Sequence, residues 1–200
     1  MPADATVGEI LRHQAHSRGN HPLLVCDADR ISYAEADRRS AELARGLIAH
    51  GAGKGTHVGL LYPNGPEFVV GMLAAARIGA VVIPFSTFVT VREMREQLID
   101  GDVDILLSAP SFRSHDYLSR IAEVLAGTAF EPDAPLFVAD VPLLRHVAVD
   151  YQRVCRRSAT VDPATKVASR PNANPPIQKN GELQNSLSAA VRPRISFRFR

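Results

Sequence analysis

Short apolar runs alternate with amphipathic stretches along the first 150 residues. The runs are Leu23–Cys26, Val58–Tyr62, Ala80–Pro84, Ile105–Ser108 and His146–Val149. Apolar stretches this short, set between helical patterns, predict strands. Val81, Val82 and Ile83 are β-branched with no polar residue among them, the pattern of a strand buried on both faces. Leu23–Cys26 and Ile31–Tyr33 flank Asp27 to Arg30, which reads as a hairpin. Between about Ala34 and His50 a helix places Ala36, Leu43, Ala44, Leu47 and Ile48 near one face. Asp37, Arg38, Arg39, Glu42 and Arg45 mostly take the other, as in a surface helix covering a sheet. The stretch from Pro66 to Ile78 carries Phe68, Val69, Val70, Met72, Leu73 and Ala74 to Ala76. It predicts a helix buried on most sides, with Pro66 in its first turn.

Helix punctuation agrees with this pattern. Thr6 with Glu9, Ser32 with Glu35 and Thr90 with Glu93 each fit a capping box, in which hydroxyl and carboxylate satisfy two free amides reciprocally. Gly19, Gly51, Gly79, Gly101 and Gly127 each follow a helical pattern, where a left-handed residue is expected. From His57 the order is β-α-β-α-β-α and a final strand. The fold class is therefore α/β: a mainly parallel sheet with right-handed crossovers, helices on its faces and an N-terminal hairpin.

Composition divides the chain near Asp150. Residues 151–200 hold ten of the 23 basic residues and two of the 21 acidic ones, a net +8. The first 150 residues keep 13 basic and 19 acidic, a net −6. The second stretch also holds Pro163, Pro171, Pro175, Pro176 and Pro193 among Ser, Asn and Gln. It is expected to be a disordered tail, and a non-native end such as a shifted reading frame is favoured over a basic tether. Domain organisation is thus 1–150, one partial domain, and 151–200, a basic tail. Cys26 and Cys155 lie far apart and form no metal spacing, which fits free thiols in a reducing compartment. No apolar run reaches the roughly 18 residues a membrane span needs, and no signal pattern opens the chain. Cytoplasmic localisation is the expectation.

The first 150 positions resemble the N-terminal part of the adenylate-forming superfamily, which includes acyl-CoA synthetases, peptide-synthetase adenylation domains and luciferases. The resemblance rests on ordered pieces: Thr6 to Leu11, His21 to Val25, Ile31 to Ala36, Leu43 to Gly55, Pro63 to Phe68, Ala76 to Pro84, Thr90 to Glu93 and Asp102 to Leu107. It leans towards the fatty-acid and acyl-CoA synthetase branch. The resemblance implies ATP-dependent activation of a carboxylic acid as an acyl adenylate, followed by transfer to the thiol of coenzyme A. ATP, Mg²⁺ and CoA are the cofactors it implies for a full-length enzyme. Such chemistry needs cationic groups and amides around the phosphates. In the family these come from a Ser/Thr/Gly-rich loop ending in Pro-Lys-Gly, an aromatic-Gly-Thr-Glu motif, a ribose-binding aspartate and a C-terminal lysine. This sequence contains none of them. No catalytic, cofactor-binding or metal-binding residue is therefore assigned, and no cofactor is expected for this chain alone.

Three local features suggest chemistry and have simpler readings. Gly51 to Thr56 (Gly-Ala-Gly-Lys-Gly-Thr) resembles a phosphate loop, but position 48 is isoleucine where the motif needs glycine, and helix precedes strand. A helix stop is the better reading. His115, Asp116 and Tyr117 are consecutive, so they rarely share a target; the surface of a helix N-terminus is expected. Ser86 and Thr87 follow a strand's C-terminal end, where α/β proteins often bind ligands. A turn with hydroxyl–backbone bonds is the competing reading. The other histidines show no metal-ligand spacing. The overall expectation is an incomplete N-terminal domain that does not adenylate by itself. A fatty or other carboxylic acid would be the substrate of the full-length enzyme. The alternatives are a non-catalytic acyl or acyl-CoA binding module, or a basic-tailed nucleic-acid or membrane binder; nucleic acid is not favoured. A partial sheet is also expected to leave apolar surface uncovered and to favour self-association.

Overall fold

Thr6 starts the first helix in the way its spacing from Glu9 predicts. Its hydroxyl accepts from the Glu9 amide at 3.3 Å, while the Glu9 carboxylate accepts from the Thr6 amide at 2.8 Å. The structure, a computed structural model, describes residues 5–125, 128 and 135–149. Gly127, Cys155 and the expected tail over 151–200 lie outside the described residues.

The helix α1 (Val7–Arg18) is followed by a hairpin of β1 (Pro22–Cys26) and β2 (Asp29–Ser32). Asp27, at φ 53, takes the left-handed turn position that short polar residues tolerate. Then come α2 (Tyr33–Ala49), β3 (His57–Leu61), α3 (Pro66–Arg77), β4 (Val81–Pro84), α4 (Val91–Asp100) and β5 (Ile105–Ser108). A two-residue ribbon of β6 (Ser111–Phe112) and β7 (His115–Asp116) leads into α5 (Tyr117–Val124), and β8 (His146–Val149) closes the series. The ribbon is too short to leave a pattern in sequence.

The strands β3, β4, β5 and β8 form one parallel sheet in the order β4-β3-β5-β8. Its two faces can be read from the register. Leu60 and Leu107 are paired and meet α3, where Gly71 permits close approach: a Cβ there would lie 3.1 Å from Leu60 Cδ2. Gly59, Ile83 and Leu106 point the other way, towards Phe85, Val103 and the end of α4 at Gly101. Helices thus cover both faces, as the α/β order requires.

Several expectations are corrected. Among the described residues the apolar run Val81–Ile83 is an edge strand rather than one buried on both faces, and Val81 is 42% exposed. The central strands β3 and β5 take the burial instead. The helix α2 packs chiefly on α1, α3 and the two-stranded hairpin rather than on the parallel sheet. That sheet face is already occupied by α3, so α2 forms a second layer over a core of Leu11, Ile31, Ala36, Val70 and Leu73. Ile48, expected on the buried face, is exposed. The capping box at Ser32 is half formed: its hydroxyl accepts from the Glu35 amide at 3.2 Å, while the Glu35 carboxylate pairs with Arg39 at 3.6 Å. Gly51 and Gly79 are left-handed as expected, at φ 86 and φ 72. Gly19 and Gly101 are right-handed. After α4 the left-handed residue is Asp102, one position later, because the Gly101 amide still donates to Gln97.

Candidate functional site

The C-terminal ends of parallel strands are where loops of an α/β sheet converge. Here β3 connects to β4 on one side, and β5 connects onward to β8 on the other. Adjacent strands whose connections diverge leave a crevice at their carboxyl ends, the common ligand position in open α/β sheets. The segments at this end are Tyr62 to Asn64, Phe85 to Val89, and Ala109 through the β6–β7 ribbon.

Ser86 and Thr87 lie at this end, as their position after β4 predicts. The Ser86 hydroxyl accepts from the Phe88 amide at 3.2 Å, and the Val89 amide donates to the Ser86 carbonyl at 3.2 Å. The local hydroxyl–backbone turn is therefore present. It is braced by α5. The Tyr117 hydroxyl donates to the Thr87 carbonyl at 2.8 Å, and the Arg120 guanidinium donates to the Val89 carbonyl. Arg120 also donates to His115 Nδ1 at 2.6 Å, which places that ring's own proton on Nε2. Phe88, 59% exposed, meets the His115 ring edge-on with centroids 5.4 Å apart.

His115, Asp116 and Tyr117 diverge, as neighbours in a chain do. His115 turns to Arg120, and Asp116 caps α5 by accepting from the Ser119 amide at 3.0 Å. Tyr117 corrects the expectation of a helix surface: it is fully buried, because it fills the space beneath the 86–89 loop. Burial pushes its hydroxyl pKa up, against a smaller opposing effect of the Arg120 charge.

The glycine loop at 51–56 does not fit a nucleotide's phosphates. The Gly53 amide donates to the Thr56 hydroxyl at 3.0 Å, and the Gly55 amide donates to the Gly79 carbonyl at 2.9 Å. The amides a phosphate would need are spent on the protein itself. Among the described residues, no group of three His, Cys, Asp or Glu side chains comes together as a metal site. No described helix is long and apolar enough to cross a membrane. One pairing was invisible in sequence: His50 and His146, distant in the chain, bring their rings to 4.8 Å at the opposite end of the sheet.

A profile of the AMP-binding enzyme family matches residues 11–175, a span that runs past the compositional break at Asp150. Feruloyl-CoA synthase from Amycolatopsis sp is 30% identical over 131 residues, covering 59% of this chain and 26% of that protein. Inhibitor-bound N-terminal domain of FACL13 from Mycobacterium tuberculosis superposes with a TM-score of 0.60 at 26% identity, over 78% of this chain and 36% of that one. The anthranilate CoA ligase AuaEII in complex with anthranoyl-AMP shares the fold at a TM-score of 0.60 and 19% identity, over 75% of this chain and 26% of that one. The chain spans about a quarter or less of the length of the curated relatives it matches.

Proposed function

The chain belongs to the AMP-binding enzyme family, and on that premise we propose that residues 1–150 are the N-terminal scaffold of an acyl-CoA ligase that activates a fatty acid. The observation that carries this reading is the parallel sheet β4-β3-β5-β8, whose strands β4 and β5 fall in the ordered pieces that carry the family resemblance and which lies wholly within the residues the family profile matches. Relatives named for feruloyl-CoA and for medium- and long-chain fatty acids support a carboxylic acid as the substrate class. In a complete enzyme ATP and Mg²⁺ would supply activation of the carboxylate, and CoA the accepting thiol. No catalytic step is assigned to the described residues. These 200 residues are expected to position the acid-binding end of the sheet and to leave the chemistry to motifs they do not contain.

The relatives are named mainly as ligases and synthases, which favours this reading over a non-catalytic acyl-binding module or a basic-tailed binder. Two further parts of the proposal concern the molecule as a whole. The edge strand β4 and the exposed Phe88 would favour self-association. The segment beyond Asp150 would be a tail of non-native origin, a reading that the family match as far as residue 175 weighs against; a Pro-Lys-Gly loop encoded in another reading frame there would support that origin.

The purified chain tests the functional reading when mixed with long-chain fatty acids, ATP, Mg²⁺ and CoA. No fatty-acid-dependent release of AMP is expected. Release that depends on the acid would overturn the assignment as a scaffold without its own chemistry.

A further inference from the structure

At the N-terminal end of the parallel sheet, away from the loops of the candidate site, a cleft of about 140 Å³ is lined by His50, Thr56, Asp104, Arg145 and His146. His50 caps the C-terminal end of α2, and His146 is the first residue of β8. Their rings lie 4.8 Å apart, tilted by 57°. The amides of Arg145 and His146 both donate to the Asp104 carbonyl, at 2.7 and 3.1 Å, so β8 enters the sheet at this point.

We propose that the His50–His146 contact is an acid-sensitive latch, holding the start of β8 against the sheet while the His146 ring is neutral and releasing it when that ring takes up a proton.

The surrounding charges give the latch its direction. Arg145 adds a fixed positive charge from β8. Its guanidinium donates to the Pro142 carbonyl at 2.6 Å and lies 5.0 Å from the centre of the Phe137 ring. Asp104, at the start of β5, is the one carboxylate lining the cleft. It already accepts from the His57 amide at 3.1 Å. His57 of β3, behind it, is held by a 2.6 Å contact from Nδ1 to the Gly101 carbonyl. Protonating the His146 ring would therefore set a second cation beside Arg145 at a carboxylate that is already engaged. Like charges this close oppose one another, and less solvent than usual screens them.

The strand itself is the weak point. Among the described residues β8 is a sheet edge, paired to β5 alone. An edge strand is the part of a sheet able to open without global unfolding. Burial first, then the charges of His50 and Arg145, push the His146 pKa below its ordinary 6.5. A lowered histidine pKa means that the folded state prefers the neutral ring. The contribution is complete above about pH 6.5 and is lost as pH falls towards the folded value. A phosphate-type ligand is a poorer fit to this cleft, because the Gly51 and Ala52 amides donate to the Ile48 and Leu47 carbonyls.

Amide hydrogen exchange on the full 200-residue chain tests the latch, at about pH 7.5 and about pH 5.5, corrected for intrinsic rates. Protection of residues 147–149 is expected to fall relative to β3, by up to about tenfold for each pH unit that one coupled proton can account for. The His146→Phe chain should lose that difference. Parallel changes in β8 and β3, or the same fall in His146→Phe, would overturn the proposal. Should the variant not fold, the unaltered chain decides: exchange at 147–149 that rises with the same midpoint as the NMR titration of the His146 ring supports the latch, and exchange that does not follow that titration overturns it.

Discussion

Arg77 joins three helices through one side chain. Its guanidinium donates to the Asp37 carboxylate, to the Asp37 carbonyl at 3.2 Å and to the Ser40 hydroxyl at 3.0 Å. Ser40 is fully buried, and its hydroxyl in turn donates to the Asp37 carbonyl at 3.2 Å. On the side of α1, Gly8 leaves room for the arginine stem: a Cβ there would lie 3.2 Å from Arg77 Cγ. Arg77→Ala is expected to cost about 3 kcal/mol, because it strands the hydroxyl and carboxylate in a largely desolvated seam. Urea unfolding of the two chains measures this, and a cost under about 1 kcal/mol would show the network to be solvated. Gly59 makes the opposite demand, for space. A Cβ there would meet Phe85 at 2.9 Å and Leu106 at 3.0 Å, so Gly59→Ala is expected to destabilise by about 1–3 kcal/mol through overpacking. The loss of melting temperature would report it. Neither demand is legible in sequence. Arg77 reads there as an ordinary helix-end cation, and Gly59 as one apolar position in a strand.

Elements were far more legible than their neighbours. The alternation of apolar runs and amphipathic stretches located the four strands of the parallel sheet and the hairpin to within a residue or two, because period and capping are local signals. The Thr90–Glu93 capping box shows why: amide, hydroxyl and carboxylate lie within one turn, with the Thr90 amide 2.8 Å from the Glu93 carboxylate. That bond, then the Thr90 hydroxyl, lowers the Glu93 pKa below 4.5, and Thr6 does the same for Glu9. A lowered carboxylate pKa contributes stability above the unfolded value and loses it as pH falls through the folded one. Glu93→Gln keeps a hydrogen-bonding group without the titration. The variant is therefore expected to show a smaller drop in urea midpoint between about pH 6 and about pH 3. An unchanged drop would mean that the box does not hold in solution. Strand order was less legible. Val81–Ile83 and Ile105–Leu107 look alike as apolar runs, yet one lies at an edge and the other at the centre. The crossovers decide that order, and no local period records them. Val81→Lys on the exposed edge is expected to reduce concentration-dependent association in sedimentation, as charge on an edge strand opposes pairing.

At the scale of the whole molecule, the family was more legible than the site. Ordered scaffold pieces such as Pro63 to Phe68 and Ala76 to Pro84 are legible because turn and helix-end residues such as Pro66 and Gly79 mark them locally. The loop at 86–89 carries no such signature. Its brace comes from Tyr117 and Arg120, whose hydrogen bonds cross from α5. The His50–His146 contact is equally a product of folding. What the fold establishes is a parallel sheet with the strand order β4-β3-β5-β8 and a glycine loop whose Gly53 and Gly55 amides bond within the protein. On the proposed function, these residues scaffold an acid-activating enzyme without performing the activation. Carboxylate-dependent ATP–pyrophosphate exchange by the purified 200-residue chain tests it most directly, since that half-reaction needs no thiol acceptor. The account predicts no exchange above the acid-free blank with fatty or aromatic acids, and exchange that rises with the concentration of any such acid would contradict it.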